Sequence, residues 1–176
     1  VTGAQSDRMT RDHGWRFLTV GRLLERLIGM SAQLGSFVES GALHQVSGME
    51  MLLELFDSAI TFRARYQRHE DLLALTDLLV LDSANPRSLA GVLRRLRTEL
   101  GKLPGGDEFI AALLARLPAE GAGVGLEDLR GADEAQVLQV LQQMCQRLGT
   151  GGSGLADELG HRFFAHAAVG DELQRV

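Results

Sequence analysis

Cysteine occurs once in this chain of 176 residues, at Cys145, so no internal disulfide can form and nothing points to an oxidising compartment. Aromatic residues make up only 5%, and Val and Ile are scarce beside Leu and Ala, which favours helix over sheet on propensity alone. No apolar run approaches the roughly 20 residues of a membrane-crossing helix, and no charged-then-apolar start resembles a signal peptide. No stretch alternates with period two. A basic excess is missing as well: the net charge of −5 argues against a general nucleic-acid binder. The acidity is concentrated, because the residues from Leu103 onward include 11 acidic and 5 basic side chains while the first part is near neutral. The expectation is an all-α helical bundle of about six or seven helices, cytoplasmic, away from membranes and nucleic acid.

With 45% apolar and 23% charged residues, the chain is long enough to bury one sizeable core and too short for two, so 1–176 reads as a single helical domain. It begins at Val1 without Met, which suggests a fragment or a processed product.

The organising stretch is Met9 to Ser40. Phe17, Val20, Leu24, Leu27 and Ile28 recur at three and four, as a core-facing stripe does, while Arg11, Trp15, Leu18, Arg22, Glu25 and Arg26 recur on an adjacent face. A solvated face rarely spends a Trp, so this second face is expected to be covered, with Arg22, Glu25 and Arg26 buried in ion pairs, Arg22 with Asp57 or Asp82. A second helix is expected from about Met49 to Tyr66, with Met49, Leu52, Leu53, Phe56, Ile60 and Arg63 inward. A third, Asp71 to about Leu81, is almost wholly apolar and should be central, with Asp77 as a buried acid. Asn85 and Pro86 are expected to be the N-cap and first residue of a fourth helix ending near Leu100. Asp107 opens a short helix to Leu117, and the Gly-rich segment 118–131 is expected to be a flexible loop. Asp133 to Leu148 should be helical with Val137, Leu141, Met144 and Cys145 inward; Gly149 to Gly154 should break it before a last helix from Leu155 to about Val169.

Catalytic chemistry is not visible. Cys145 sits on an apolar stripe, where a thiol is usually a small hydrophobe. Glu158 and His161 have the i, i+3 spacing of a di-iron bundle ligand pair, but the second copy that such a site needs is absent. The Gly149–Gly154 run follows a helix rather than a strand and lacks the Lys-Ser/Thr ending of a phosphate loop, so it reads as a plain turn. No cofactor and no metal are implied. What remains is an ionic set: Arg11, Asp12, Arg16, Arg22, Glu25 and Arg26 on the first helix, Asp57, Thr61, Arg63 and Arg65 on the second, then Asp77, Asp82, Asn85 and Arg87. It is either a structural network that fixes helix register or a polar pocket binding a carboxylate or phosphate through Arg forks.

Three ordered motifs lie in that set: Met9-Thr-Arg-Asp-His-Gly-Trp-Arg-Phe-Leu with Gly21-Arg-Leu-Leu-Glu-Arg26, Asp57-Ser-Ala-Ile-Thr-Phe-Arg-Ala-Arg-Tyr66, and Leu81-Asp-Ser-Ala-Asn-Pro-Arg-Ser-Leu89. With the tail Leu159-Gly-His-Arg-Phe-Phe-Ala-His166 they resemble the bacterial alpha-E domain family. Phe62 departs from a common Tyr, and Gly160-His161 from a polar and acidic pair. The resemblance implies an all-helical domain fused to, or encoded beside, ATP-grasp ligases of circularly permuted type, serving a peptide-forming or peptide-modifying system. It further implies that this chain is the C-terminal half of such a domain, in which an N-terminal half carries a related helix. The chain lacks the strands and nucleotide loops of an ATP-grasp fold. The expected role is a non-catalytic partner of that ligase that holds its peptide; the alternative is an enzyme or small-ligand module using the Arg and carboxylate cluster. The Trp15 face is expected to meet a missing segment, a partner chain or a second copy.

Overall fold

In the computed structural model, which describes residues 13–66, 71–118 and 125–164, the chain is an all-α bundle of eight α-helices, with no strand among those residues. The first, α1 (His13–Glu39), packs against both the last, α8 (Glu134–Phe163), and α5 (Leu89–Leu100). Val20, Leu23, Leu24, Leu27, Met30 and Leu34 of α1 are buried, Leu27 and Leu34 completely. Steps of three and four keep these positions on one side of a helix with 3.6 residues per turn, so a single stripe serves both neighbours. Gly41, at φ 70°, turns the chain out of α1 into a 3-10 turn at Ala42–His44.

The expected second helix is two: α2 (Val46–Leu55) and α3 (Ala59–Tyr66). Between them the Ser58 N–H donates to the Leu53 carbonyl at 2.8 Å and the Asp57 N–H to the Glu54 carbonyl at 2.9 Å. These are the two bonds of a Schellman stop, with Asp57 in the left-handed position at φ 50°. Glycine usually takes that position, and Asp is among the few other residues that tolerate it, which is why the pattern of apolar residues ran on without a visible break. The stop rotates the helix that follows. Phe62 is buried, whereas Ile60, expected inward, is 84% exposed and Arg63 is exposed.

The apolar third segment is central: Leu75, Leu78, Leu79 and Val80 are fully buried. It runs as α4 (Leu72–Thr76), capped by the Asp71 carboxylate on Leu73 N–H, and continues as a π-helix, Asp77–Leu81. The next helix, α5, starts later than expected. Ser88, not Asn85, caps it, its Oγ accepting from Gly91 N–H at 2.8 Å. Then come α6 (Asp107–Ala115) and, inside the expected loop 118–131, a short α7 (Leu126–Leu129); residues 119–124 of that loop lie outside the described residues.

The largest departure is at the end. α8 runs unbroken through Gly149–Gly154, so the expected turn there is helix interior. A Cβ at Gly151 would lie 2.6 Å from the Arg116 carbonyl oxygen, and one at Gly152 would lie 2.9 Å from Ile28 Cγ1. Each Gly costs a helix about 1 kcal/mol relative to Ala. Close approach of α8 to α1 and to the end of α6 offsets that cost, and the tertiary packing overrides local propensity. Asp133 and Gln136 form a reciprocal capping box at the start of α8, and Phe163 near its end meets the Phe17 ring at 4.6 Å and Phe109 at 5.8 Å. No helix among the described residues is long and apolar enough to cross a membrane.

Candidate functional site

The stretch from Asp82 to Ser88 is a latch made of short side chains bonding to nearby backbone. Asp82 Oδ1 accepts from Ala84 N–H at 3.0 Å, and Asn85 Oδ1 accepts from Arg87 N–H at 3.0 Å, two successive Asx turns. Asn85 Nδ2 donates to the Leu78 carbonyl at 2.9 Å, inside the π-helix, where the altered ladder leaves that oxygen available. Ser88 Oγ, fully buried, donates to the Asp82 carbonyl at 2.6 Å. A Cβ at Gly91 would fall 1.9 Å from the Asn85 carbonyl oxygen, so only Gly lets α5 approach the latch. Asn85 is thus an anchor of the loop rather than a helix cap, and the loop's path holds Arg87 outward.

The ionic set divides in two. Arg65 forks onto Asp82 at 2.6 Å and Asp77 at 3.6 Å, and the Tyr66 hydroxyl donates to Asp77. Burial, then that hydrogen bond, raises the Tyr66 hydroxyl above its usual range; the Asp82 carboxylate raises Arg65. Asp77 is about five-sixths buried, its carboxylate side chain 17% exposed, yet it has two partners. This set ties α3 to the π-helix and leaves no member unbonded.

The second set is open. Arg87 Nη2 meets Asp57 Oδ2 at 2.7 Å beside a groove of about 540 Å³. One wall is α1, with Arg26, Gly29, Met30 and Gln33; the other is the α2–α3 stop, with Leu55, Phe56 and Asp57. Arg26 is exposed and has no ion pair or hydrogen bond among the described residues. Arg22 and Glu25, one turn before it, are exposed too. Their expected burial is therefore overturned: the wide stripe that ends with Leu34 already supplies α1's core contacts, and leaving the charges in water avoids a desolvation penalty of several kcal/mol per ion. Neither Asp57 nor Asp82 bonds Arg22. Trp15 is half-buried near the start of α1, its carbonyl accepting from Thr19 Oγ1. Thr61 and Arg63 are exposed on α3 and join neither set. Arg11 and Asp12 lie outside the described residues.

Sequence reasoning missed Gly29, Met30, Gln33 and Leu55 as groove residues. The signal for two of them was present, since positions 26, 29 and 33 share one helix face.

Elsewhere, His44 Nδ1 meets Glu134 at 2.6 Å beside a cavity of about 490 Å³, but these groups are occupied with each other. Glu158 pairs with Arg116 at 2.9 Å while His161 is exposed, so the two are not brought together, and no group of three or more metal-binding side chains occurs among the described residues. Burial pushes the Cys145 thiol up to about 12, with a smaller contribution from Glu39. A thiol so disposed is a packing group, not a nucleophile.

A family model described as a predicted alpha-helical domain with a conserved ER motif, Alpha-E, matches residues 1–164. Glu25-Arg26 is the one Glu-Arg pair in the sequence, and it sits on the exposed side of α1. Uncharacterized proteins of Mycobacterium tuberculosis and Mycobacterium bovis are each 31% identical over 151 residues, an alignment covering 78% of this chain and 17% of theirs. The chain thus spans about a sixth of the length of these relatives. No solved structure matches it.

Proposed function

The chain belongs to the Alpha-E family, and from that premise we propose that it is a non-catalytic helical docking domain, serving an ATP-grasp ligase in a peptide-forming or peptide-modifying system of the cytoplasm. One observation carries the reading: Glu25 and Arg26, the one Glu-Arg pair in a chain whose family is described by such a motif, are exposed on α1, and Arg26 lines a groove instead of being consumed by the fold. An ion pair kept for helix register would be bonded to a neighbouring helix. Here Arg26 is unbonded among the described residues; Leu55, which lines the same groove, is 54% exposed, and Met51, one helical turn before Leu55, is 60% exposed. Aliphatic side chains clustered with an unpaired guanidinium are the composition of a surface that another molecule covers.

The reading is tested by purifying the chain with the ATP-grasp protein encoded with it and following ATP turnover. A stable complex whose turnover depends on the chain supports it. Modification of a peptide by the chain alone would instead establish an enzyme.

A further inference from the structure

We infer that the groove between α1 and the α2–α3 stop binds the C-terminal end of a peptide, with Arg26 holding the terminal carboxylate. The inference rests on the reading of this face as a docking surface. Charge comes first. Arg26 and Arg87 are two fixed positive charges and Asp57 is one negative charge, so the groove carries one positive charge in excess and is neutralised by a ligand bearing a single negative charge. An exposed guanidinium with no partner among the described residues offers a two-pronged donor that fits a carboxylate.

The other walls narrow the choice. A peptide end presents three things within a few ångströms: a carboxylate, the N–H of its last amide, and one side chain. The groove offers a counterpart to each. Arg26 donates, the Asp57 carboxylate is an acceptor exposed at the groove's edge, and Met30 on one wall and Leu55 and Phe56 on the other are apolar. An acidic side chain within a peptide sets its carboxylate off on a methylene stem, whereas a terminal carboxylate shares one Cα with the last N–H and the last side chain. A free amino acid is a zwitterion and would leave the excess charge in place. The backbone at Asp57 strengthens the assignment. A non-glycine residue at φ 50° is an uncommon conformation that Gly would adopt at no cost. Asp therefore contributes something there that Gly would not, namely the carboxylate that meets Arg87.

Gly29 supplies an independent handle. It lines the groove, and a Cβ built on it meets nothing within 4 Å, so a larger side chain would enter the groove without disturbing the core.

The experiment uses the full chain and a fluorescent N-acylated hexapeptide ending in Ala-Leu with a free carboxylate. Three competitors accompany it: the C-terminal amide of that peptide, an amidated peptide with an internal Glu, and free leucine. The free-acid peptide should bind, and each of the other three should bind at least about tenfold more weakly, the usual worth of one charge-assisted pair. Arg26→Ala should lose about tenfold in affinity. Gly29→Leu should lose binding with a melting temperature no lower than that of the parent chain. Equal affinity for the amide, unchanged affinity in Arg26→Ala, or no binding of the free acid would each overturn the inference. Binding of the internal Glu peptide alone would assign the groove to an acidic partner surface instead. The ligase complex described above is a separate readout: if it forms while the peptide fails to bind, the docking domain stands and the peptide does not.

Discussion

Gly152 and Gly29 lie on two sides of the same helix pair and are used in opposite ways. On the α8 side there is no room: a Cβ at Gly152 would press on Ile28 at 2.9 Å, and one at Gly151 would meet a backbone oxygen at 2.6 Å. On the other side of α1, a Cβ at Gly29 would meet nothing. The first kind of glycine lets main chain approach main chain and closes a contact. The second leaves a helix face bare, beside Arg26 and the groove. Side-chain bonding follows the same division, since the π-helix latch satisfies its polar groups while the groove keeps an unbonded guanidinium. A glycine in a helix is thus a marker of structure or of a site only once its neighbours are known.

The comparison can be broken most severely at Gly151. Gly151→Val should cost about 3 kcal/mol in urea unfolding, because a branched Cβ cannot share space with the Arg116 carbonyl. A variant as stable as the parent would mean that the closed side is not closed. A smaller effect is expected from Cys145 on the same side. Its folded value is raised from 9.0 to about 12, so the folded protein keeps a proton that the unfolded chain releases. The associated stability is intact below pH 9 and is lost as pH rises toward 12; by pH 11 the loss is on the order of 2–3 kcal/mol. Unfolding curves of the parent and Cys145→Ala that fall in parallel over this range would refute the burial of the thiol. In the latch, Ser88→Ala removes the α5 cap and one of the two donors to the Asp82 carbonyl, leaving it the Asn85 N–H, at about 1–2 kcal/mol; thermal melting measures it, and Asn85→Ala should lower stability by its bond to Leu78 rather than by any loss of helix capping. The smallest effect sharpens the contrast. Arg26→Ala should change stability by less than about 0.5 kcal/mol, as at an exposed position without partners. A loss of several kcal/mol would return Arg26 to the structural role expected of it from sequence.

Periodicity made the fold class legible, because Leu24, Leu27 and the Val137–Leu148 stripe bury as their spacing demands. The interruptions were not legible. Asp57 stops a helix in a position where Gly is the usual signal, and the Gly149–Gly154 run looks like a break although its neighbours hold it helical. The first is a local stop that lacks its usual glycine, and the second depends on contacts distant in sequence. The site was half legible: Arg26, Asp57 and Arg87 were singled out by residue type, but the burial of Arg26 was misjudged. Trp15 on the same face suggested a covering layer, and nothing local reveals that Leu23, Met30 and Leu34 already complete α1's inward arc. Gly29 and Leu55 gained meaning only when the groove was seen.

The pairing of α1 with α8 also sets an order on biosynthesis. A ribosome adds about 5–20 residues per second, so α1 leaves the exit tunnel on the order of ten seconds before the helix that seals it is complete. During that interval α5 can shield only part of the stripe from Val20 to Leu34. A nascent chain halted before Glu134 therefore displays an aliphatic ridge, the kind of surface that chaperones capture, and messages truncated there should yield products that bind hydrophobic dyes.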